Sequence, residues 1–285
     1  MTHLSYIELS RDALLHNVRV FERTKPQSWF TAVVKANAYG HGLAEVVPIL
    51  EGSDLVEAYQ VDDLDELRAL KSVLPVSWAL VYGYIPVSQI EEAMRLNAEI
   101  AVYEFEQIRE LGRLVRDNDD VGAGFSIKID ALLGRQGILP NTVNAMIKEI
   151  DRYGLEPTSA YAHYANIEDT TDLNHAEAQE EAFEKAFAKL EARWPSIGRH
   201  LSATSGLLTR PNERNTMVRL GIGLYGLYPS APLARSHAHL NLQPVMRWIS
   251  HLAQVKTLPA GHPVGYGLTY RTTRPTTIGI VPQGY

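Results

Sequence analysis

Short apolar runs alternate along the chain with apolar stripes spaced three and four residues apart. The first pattern marks buried strands, the second amphipathic helices. A helix capped by Ser10 carries Leu14, Leu15, Val18 and Phe21 on one face. Strands are then predicted at 30–35, 54–61, 76–82, 99–103, 125–130, 158–165, 200–204 and 218–225. Between them, helices are predicted over 43–50 and on the stripes Leu64/Leu67/Leu70, Ile90/Ala93/Met94 and Ile108/Leu111/Val115. Two more stripes follow: Val143/Met146/Ile147/Ile150, stopped by Gly154, and Phe183/Phe187/Leu190/Trp194, ended by Pro195.

Eight strand–helix units are the number in a (β/α)8 TIM barrel, an α/β fold with parallel strands and crossover helices. The alternation alone also fits an open doubly wound sheet. The number of units, and the lack of a GxGxxG turn after the first strand, favour the closed barrel. After Tyr228 the texture changes. Pro229, Pro232 and Pro244 punctuate a linker, and 245–256 and 276–281 read as strands with no helix between them. The expectation is a barrel over 1–230, with the first few residues free to pair elsewhere, and the incomplete start of an all-β C-terminal domain over 231–285. A few strands with open edges make a poor independent domain, so the chain reads as shortened at Tyr285.

The 285 residues carry a net charge of -6 without long runs, which argues against a nucleic-acid or anionic-membrane surface. There is no cysteine, so disulfides and thiolate chemistry are excluded. Neither a signal peptide nor a membrane-spanning apolar run is found, and a cytoplasmic protein is expected.

Lys35 closes the apolar run TAVVK, just before Asn37, Gly40 and Gly42. In a barrel, functional groups gather where strands end. A lysine in a partly apolar site offers a neutral amine suited to Schiff-base chemistry with a carbonyl. The strand context alone favours a plainer role, a lysine snorkelling to solvent. Ser205, Gly221 and Ile222 follow late strands, where barrels commonly build phosphate sites from hydroxyls and backbone amides. Taken singly they are ordinary turn residues. So too, singly, Arg219 reads as an ion-paired surface arginine, His163 as a core histidine and Tyr266 as a surface aromatic.

Five segments in order change that weighting: VVKANAYGHG, KIDALLGRQG (128–137), AHYA (162–165), VRLGIGLYG (218–226) and VGYGLTY (264–270). Together they resemble the alanine racemases, enzymes that use pyridoxal 5'-phosphate (PLP). The resemblance spans essentially the whole chain. It implies interconversion of L- and D-alanine by two-base proton transfer, supplying D-alanine for peptidoglycan, in a homodimer with shared active sites.

The resemblance also implies roles. Lys35 would hold PLP and act as one base, and Tyr266, from the other subunit, would act on the opposite face. A phenol ordinarily titrates near 10, so it needs cationic or hydrogen-bonding neighbours to serve as a base. His163 would stack on the cofactor ring and link Tyr266 to Arg219, which would face the pyridine nitrogen. Arg135 would bind the substrate carboxylate, supported by Lys128, which is carbamylated in some relatives. Tyr39, Ser205, Gly221 and Ile222 would hold the phosphate. No metal is implied.

The sequence departs from the family at Ala131, Leu132 and Leu133, where Thr-Gly-Met is frequent, and at Thr204, where Asn or Ser is common. The family's second domain also continues well beyond a Gly-Tyr like 284–285. An alternative reading is therefore a barrel that binds PLP without turnover. The barrel-type basic amino-acid decarboxylases share a first-strand lysine but use a glycine triplet, and no GGG occurs here.

Overall fold

The computed structural model describes residues 4–24, 28–117, 124–168 and 171–284. Tyr285, where the sequence reading ends the second domain, lies outside them. The chain divides into two compact units: residues 11–245, and the residues up to Ser10 together with those from Met246 onward.

The larger unit is built on eight parallel strands: β2 (Trp29–Val33), β3 (Ala58–Val61), β4 (Ala79–Val81), β5 (Ala98–Val102), β6 (Phe125–Lys128), β7 (Ser159–Tyr161), β8 (Gly198–His200) and β9 (Met217–Leu220). Their order is β8-β7-β6-β5-β4-β3-β2-β9. The ring closes between β8 and β9, where Thr216 N–H donates to the Arg199 carbonyl at 2.9 Å and Arg219 N–H to the Ser202 carbonyl at 3.1 Å. Ala203 and Arg219 also form a parallel bridge. This is the predicted (β/α)8 barrel. Its strands are buried on both faces, as a parallel sheet wrapped in helices requires.

The helices take the faces their stripes predict. Helix α1 (Arg11–Thr24) buries Leu14, Leu15, Val18 and Phe21, and α8 (Asn174–Arg193) buries Phe183, Phe187 and Leu190. Each such side chain contributes about 1.5–3 kcal/mol through removal from water. Inside the ring, Ala58, Leu80, Tyr82, Ala101, Tyr161 and Met217 form one packed cluster. The strands are shorter than the sequence suggests, mainly at their C-terminal ends. Runs predicted to 130, 165 and 225 stop at Lys128, Tyr161 and Leu220. The residues beyond turn outward to form the barrel's mouth.

The smaller unit contains antiparallel pairs. β1 (Ser5–Leu9) pairs with β10 (Met246–Ser250), β11 (Gln254–Leu258) with β14 (Thr276–Ile280), and β12 (Pro263–Val264) with β13 (Tyr270–Arg271). The single strand expected over 245–256 is thus two strands. Among its described residues only Leu258 and Thr272 are buried.

Candidate active site

After β2 the chain enters α2 (Lys35–Tyr39), which winds left-handed. Ala36, Asn37, Ala38 and Tyr39 have φ of 50, 53, 55 and 54°. This conformation costs a non-glycine residue about 1–2 kcal/mol. Local hydrogen bonds offset the cost. Asn37 Oδ1 accepts from Leu43 N–H at 2.8 Å, and Gly40, at φ +83°, ends the turn with bonds to the Ala36 and Asn37 carbonyls. The Glu66 carboxylate accepts from Ala36 N–H at 2.6 Å and Asp62 N–H at 2.8 Å. Glu66 is itself fixed at the start of α4 (Leu64–Val73), where Asp63 caps the helix through Glu66 N–H. The result aims Lys35 at Asp62, with Nζ 3.2 Å from Oδ1.

On the neighbouring strand, Arg219 projects from β9, where it pairs with Thr31 of β2. Its Nη2 donates to the carbonyls of Ala162 (3.0 Å) and Leu201 (3.1 Å) and to His163 Nδ1 (3.3 Å). Its Nη1 donates to His200 Nδ1. A guanidinium only donates, so both imidazoles accept through Nδ1. Burial, reinforced by Arg219, Arg135, Lys128 and Lys35, pushes His163 down to about 3. Lys128, at the end of β6, is lowered to about 8 by burial and by Arg135 and Arg219. Burial leads in both shifts, and the cations gathered at this mouth add to it.

A cavity of about 720 Å³ opens there. Lys35, Tyr39, Lys128, Arg135, His163, Ser205, Arg219, Gly221 and Ile222 all line it. These are every site residue that the sequence reading placed in the barrel. The floor is tight at Gly221: a Cβ there would lie 3.2 Å from the Tyr39 hydroxyl. Thr204 accepts from Gly223 N–H through Oγ1 at 3.1 Å, so a hydroxyl serves at the departed position. Tyr266 belongs to the smaller unit, flanked by Gly265 and Gly267 at φ +72 and +73°, and is 92% exposed.

Sequence reasoning missed Asp62 and Glu66. The run DLDE (63–66) carries a helix-capping signature that could have located Glu66. It also missed His200, Glu99, Ser126 and Ser159, polar residues buried in the barrel strands.

A parallel barrel whose mouth gathers a lysine amine and several cations around one cavity defines the class of barrel enzymes that handle small anionic compounds. Comparison with known proteins narrows this. Residues 9–229 match the family model "Alanine racemase, N-terminal domain" and residues 245–285 match "Alanine racemase, C-terminal domain". The chain is 34% identical over 299 residues to an alanine racemase of Desulfosudis oleivorans, covering 99% of this chain and 74% of that protein. It is 33% identical to one from Syntrophobacter fumaroxidans, covering 100% of this chain and 75% of that one. The solved alanine racemase of Streptomyces lavendulae superposes with a TM-score of 0.90 at 28% identity, covering all of this chain and 75% of that one. The chain belongs to the alanine racemase family. Members of that family depend on PLP.

Proposed function

We propose that this chain is a PLP-dependent racemase interconverting L- and D-alanine. One observation carries the reading: the nine barrel residues to which the resemblance gives roles line one cavity, with Lys35, Lys128, Arg135 and Arg219 on its walls. The cavity fits the cofactor. Its cations suit a phosphate and a carboxylate. The missing Cβ at Gly221 leaves room beside the Tyr39 hydroxyl, and Lys35 supplies the amine that a carbonyl requires. When bound, PLP supplies an electron-withdrawing ring that makes the substrate's Cα proton acidic.

Lys35 would hold the cofactor covalently before substrate arrives and, as a free amine afterwards, would move the proton at one face of Cα. Tyr266, contributed across a dimer, serves the opposite face. Two bases on opposite faces are what inversion requires. Arg135 orients the substrate carboxylate, with Lys128 beside it. Tyr39, Ser205, Gly221 and Ile222 hold the phosphate. His163, neutral and accepting from Arg219 through Nδ1, keeps Nε2–H to donate toward a tyrosine oxygen. Arg219 offers a hydrogen bond but no exchangeable charge, because a guanidinium stays protonated. A homodimer in the cytoplasm that supplies D-alanine for peptidoglycan completes the reading, on the strength of family membership.

The alternative is a barrel that holds PLP without turnover. Mixing the chain with PLP is expected to give a visible absorbance band that Lys35→Ala abolishes. Racemisation of L-alanine in deuterium oxide, with deuterium entering Cα, separates the two readings. Bound PLP without any exchange would favour the second, and no band at all would sink both.

A further inference from the structure

Beneath the mouth, the barrel interior holds a chain of polar side chains that the mechanism above does not use. Arg219 donates to His200 Nδ1. His200 Nε2 lies 3.0 Å from Ser159 Oγ and 3.3 Å from the Tyr82 hydroxyl. Ser159 Oγ meets Ser126 Oγ, which meets Glu99 Oε1. The Tyr82 hydroxyl forms a side branch, 3.3 Å from both Glu99 Oε1 and Ser126 Oγ. Tyr82 follows β4, and Glu99, Ser126, Ser159, His200 and Arg219 come one each from β5 to β9. The six form a polar belt across six neighbouring strands of the barrel's eight, and all are buried.

The belt has a direction. Arg219 can only donate, so His200 Nδ1 accepts and the ring proton sits on Nε2. Burial, then Arg219 and Arg199, pushes His200 well below the ordinary histidine value and keeps it neutral. Nε2–H then donates to Ser159, Ser159 to Ser126, and Ser126 to the Glu99 carboxylate. Each hydroxyl spends its one proton in the same sense, from a fixed cation to an acid. Aligned bonds of this kind strengthen one another in a low-dielectric interior.

We propose that Glu99 is the remote counter-charge of Arg219 and acts as a positioning residue. Through Ser126, Ser159 and His200 it fixes the His200 tautomer, and with it the guanidinium at the cavity. The consequence for catalysis rests on the reading that Arg219 faces the cofactor ring. The coupling itself does not.

Burial raises Glu99 to about 7, against the opposing pull of Ser126 and Tyr82. Once protonated, Glu99 must donate to Ser126 or Tyr82. Donation to Ser126 reverses the serine protons and sets a hydroxyl proton against His200 Nε2. The ring proton would then move to Nδ1, against the Arg219 donor. The titratable groups around the chain are Tyr82, Tyr161 and His200, held neutral by burial, and the cations Arg219 and Arg199. Glu99 is the belt member that changes charge near neutrality; on the cavity side of Arg219, His163 stays neutral and Lys128 titrates near 8, a titration that Glu99→Gln leaves in place.

The test is nitrogen-15 NMR of the histidine side chains in the full chain, from about pH 5.5 to about pH 9. His200 is assigned by the signal lost in His200→Gln. At the alkaline end its proton is expected on Nε2, and both ring nitrogens should shift with a midpoint near 7. Glu99→Gln should abolish that titration. The double variant Ser126→Ala/Tyr82→Phe, which keeps the acid but cuts both hydroxyl routes from Glu99 to His200, should abolish it too, and it reads the same coupling if Glu99→Gln does not fold. His200 signals that ignore pH in the wild type, or titrate alike in the variants, would overturn the proposal. In protein carrying PLP, the visible absorbance should titrate with the same midpoint and lose that dependence in Glu99→Gln. Failure to bind PLP would count against the cofactor reading alone.

Discussion

The Lys35 ammonium stands 3.2 Å from the Asp62 carboxylate, within the same cavity wall. Both side chains are substantially exposed, so the pair contributes no more than about 1 kcal/mol. Bonding to an aldehyde uses the lysine's lone pair, and the ion pair must first break. Asp62→Asn is therefore expected to leave stability within about 1 kcal/mol and to speed PLP capture by up to about fivefold. Urea unfolding and stopped-flow absorbance of cofactor-free protein check the two halves. Slower capture would mean that Asp62 assists the lysine instead of competing for it.

Glu66 holds two backbone amides, one on each side of that pair. Charge-assisted bonds to a carboxylate are worth about 1.5–3 kcal/mol each when their partners are left unsatisfied. Glu66→Ala should cost about 2 kcal/mol or more in chemical denaturation, and Glu66→Gln clearly less, since an amide oxygen can still accept. The alanine variant should also slow PLP capture, because Ala36 adjoins Lys35.

At Gly221 an added methyl meets the Tyr39 hydroxyl at 3.2 Å. Gly221→Ala is expected to weaken PLP binding about tenfold or more, equivalent to about 1.4 kcal/mol. Pyridoxal, which lacks the phosphate, should bind the variant and the wild type alike. Equal losses for the two compounds would remove Gly221 from the phosphate site.

Stability of the cofactor-free protein should fall in acid. His163 and His200 are held neutral in the fold, while the unfolded chain takes up a proton at each near 6.5. Each therefore costs about 1.4 kcal/mol per pH unit as the pH drops below about 6.5. Glu99 opposes them. Its folded value of about 7 lies above the ordinary 4.5, so between those limits acidification stabilises the fold by about 1.4 kcal/mol per unit. The net loss is then about 1.4 kcal/mol per unit down to about 4.5, and about twice that below. Glu99→Gln removes the opposing contribution, and its urea midpoints should fall about twice as steeply between pH 6.5 and 4.5.

The barrel was legible because its strands are apolar on both faces and its helices striped on one. The stripe on 183–190 packs as predicted, and the eight runs pair in chain order. Lys35 and Arg219 were visible through the motifs around them. Asp62 and Glu66 were not, because their importance lies in meeting Ala36 and Lys35 across a strand boundary about thirty positions away. The belt from Glu99 to Arg219 was hidden for a similar reason. Each member comes from a different strand, and only closure of the ring brings them together. The left-handed turn went unread because Ala36, Ala38 and Tyr39 carry no local sign of it.

That turn bears on when the site comes into being. Four successive residues wound against their intrinsic preference do not persist in an isolated peptide. They depend on the Glu66 acid at the start of α4 and on the Leu43 amide just beyond the turn. The reactive amine is therefore aimed only after its neighbouring elements have docked. A nascent polypeptide has no such preset amine, so maturation of the site waits on assembly of the surrounding scaffold.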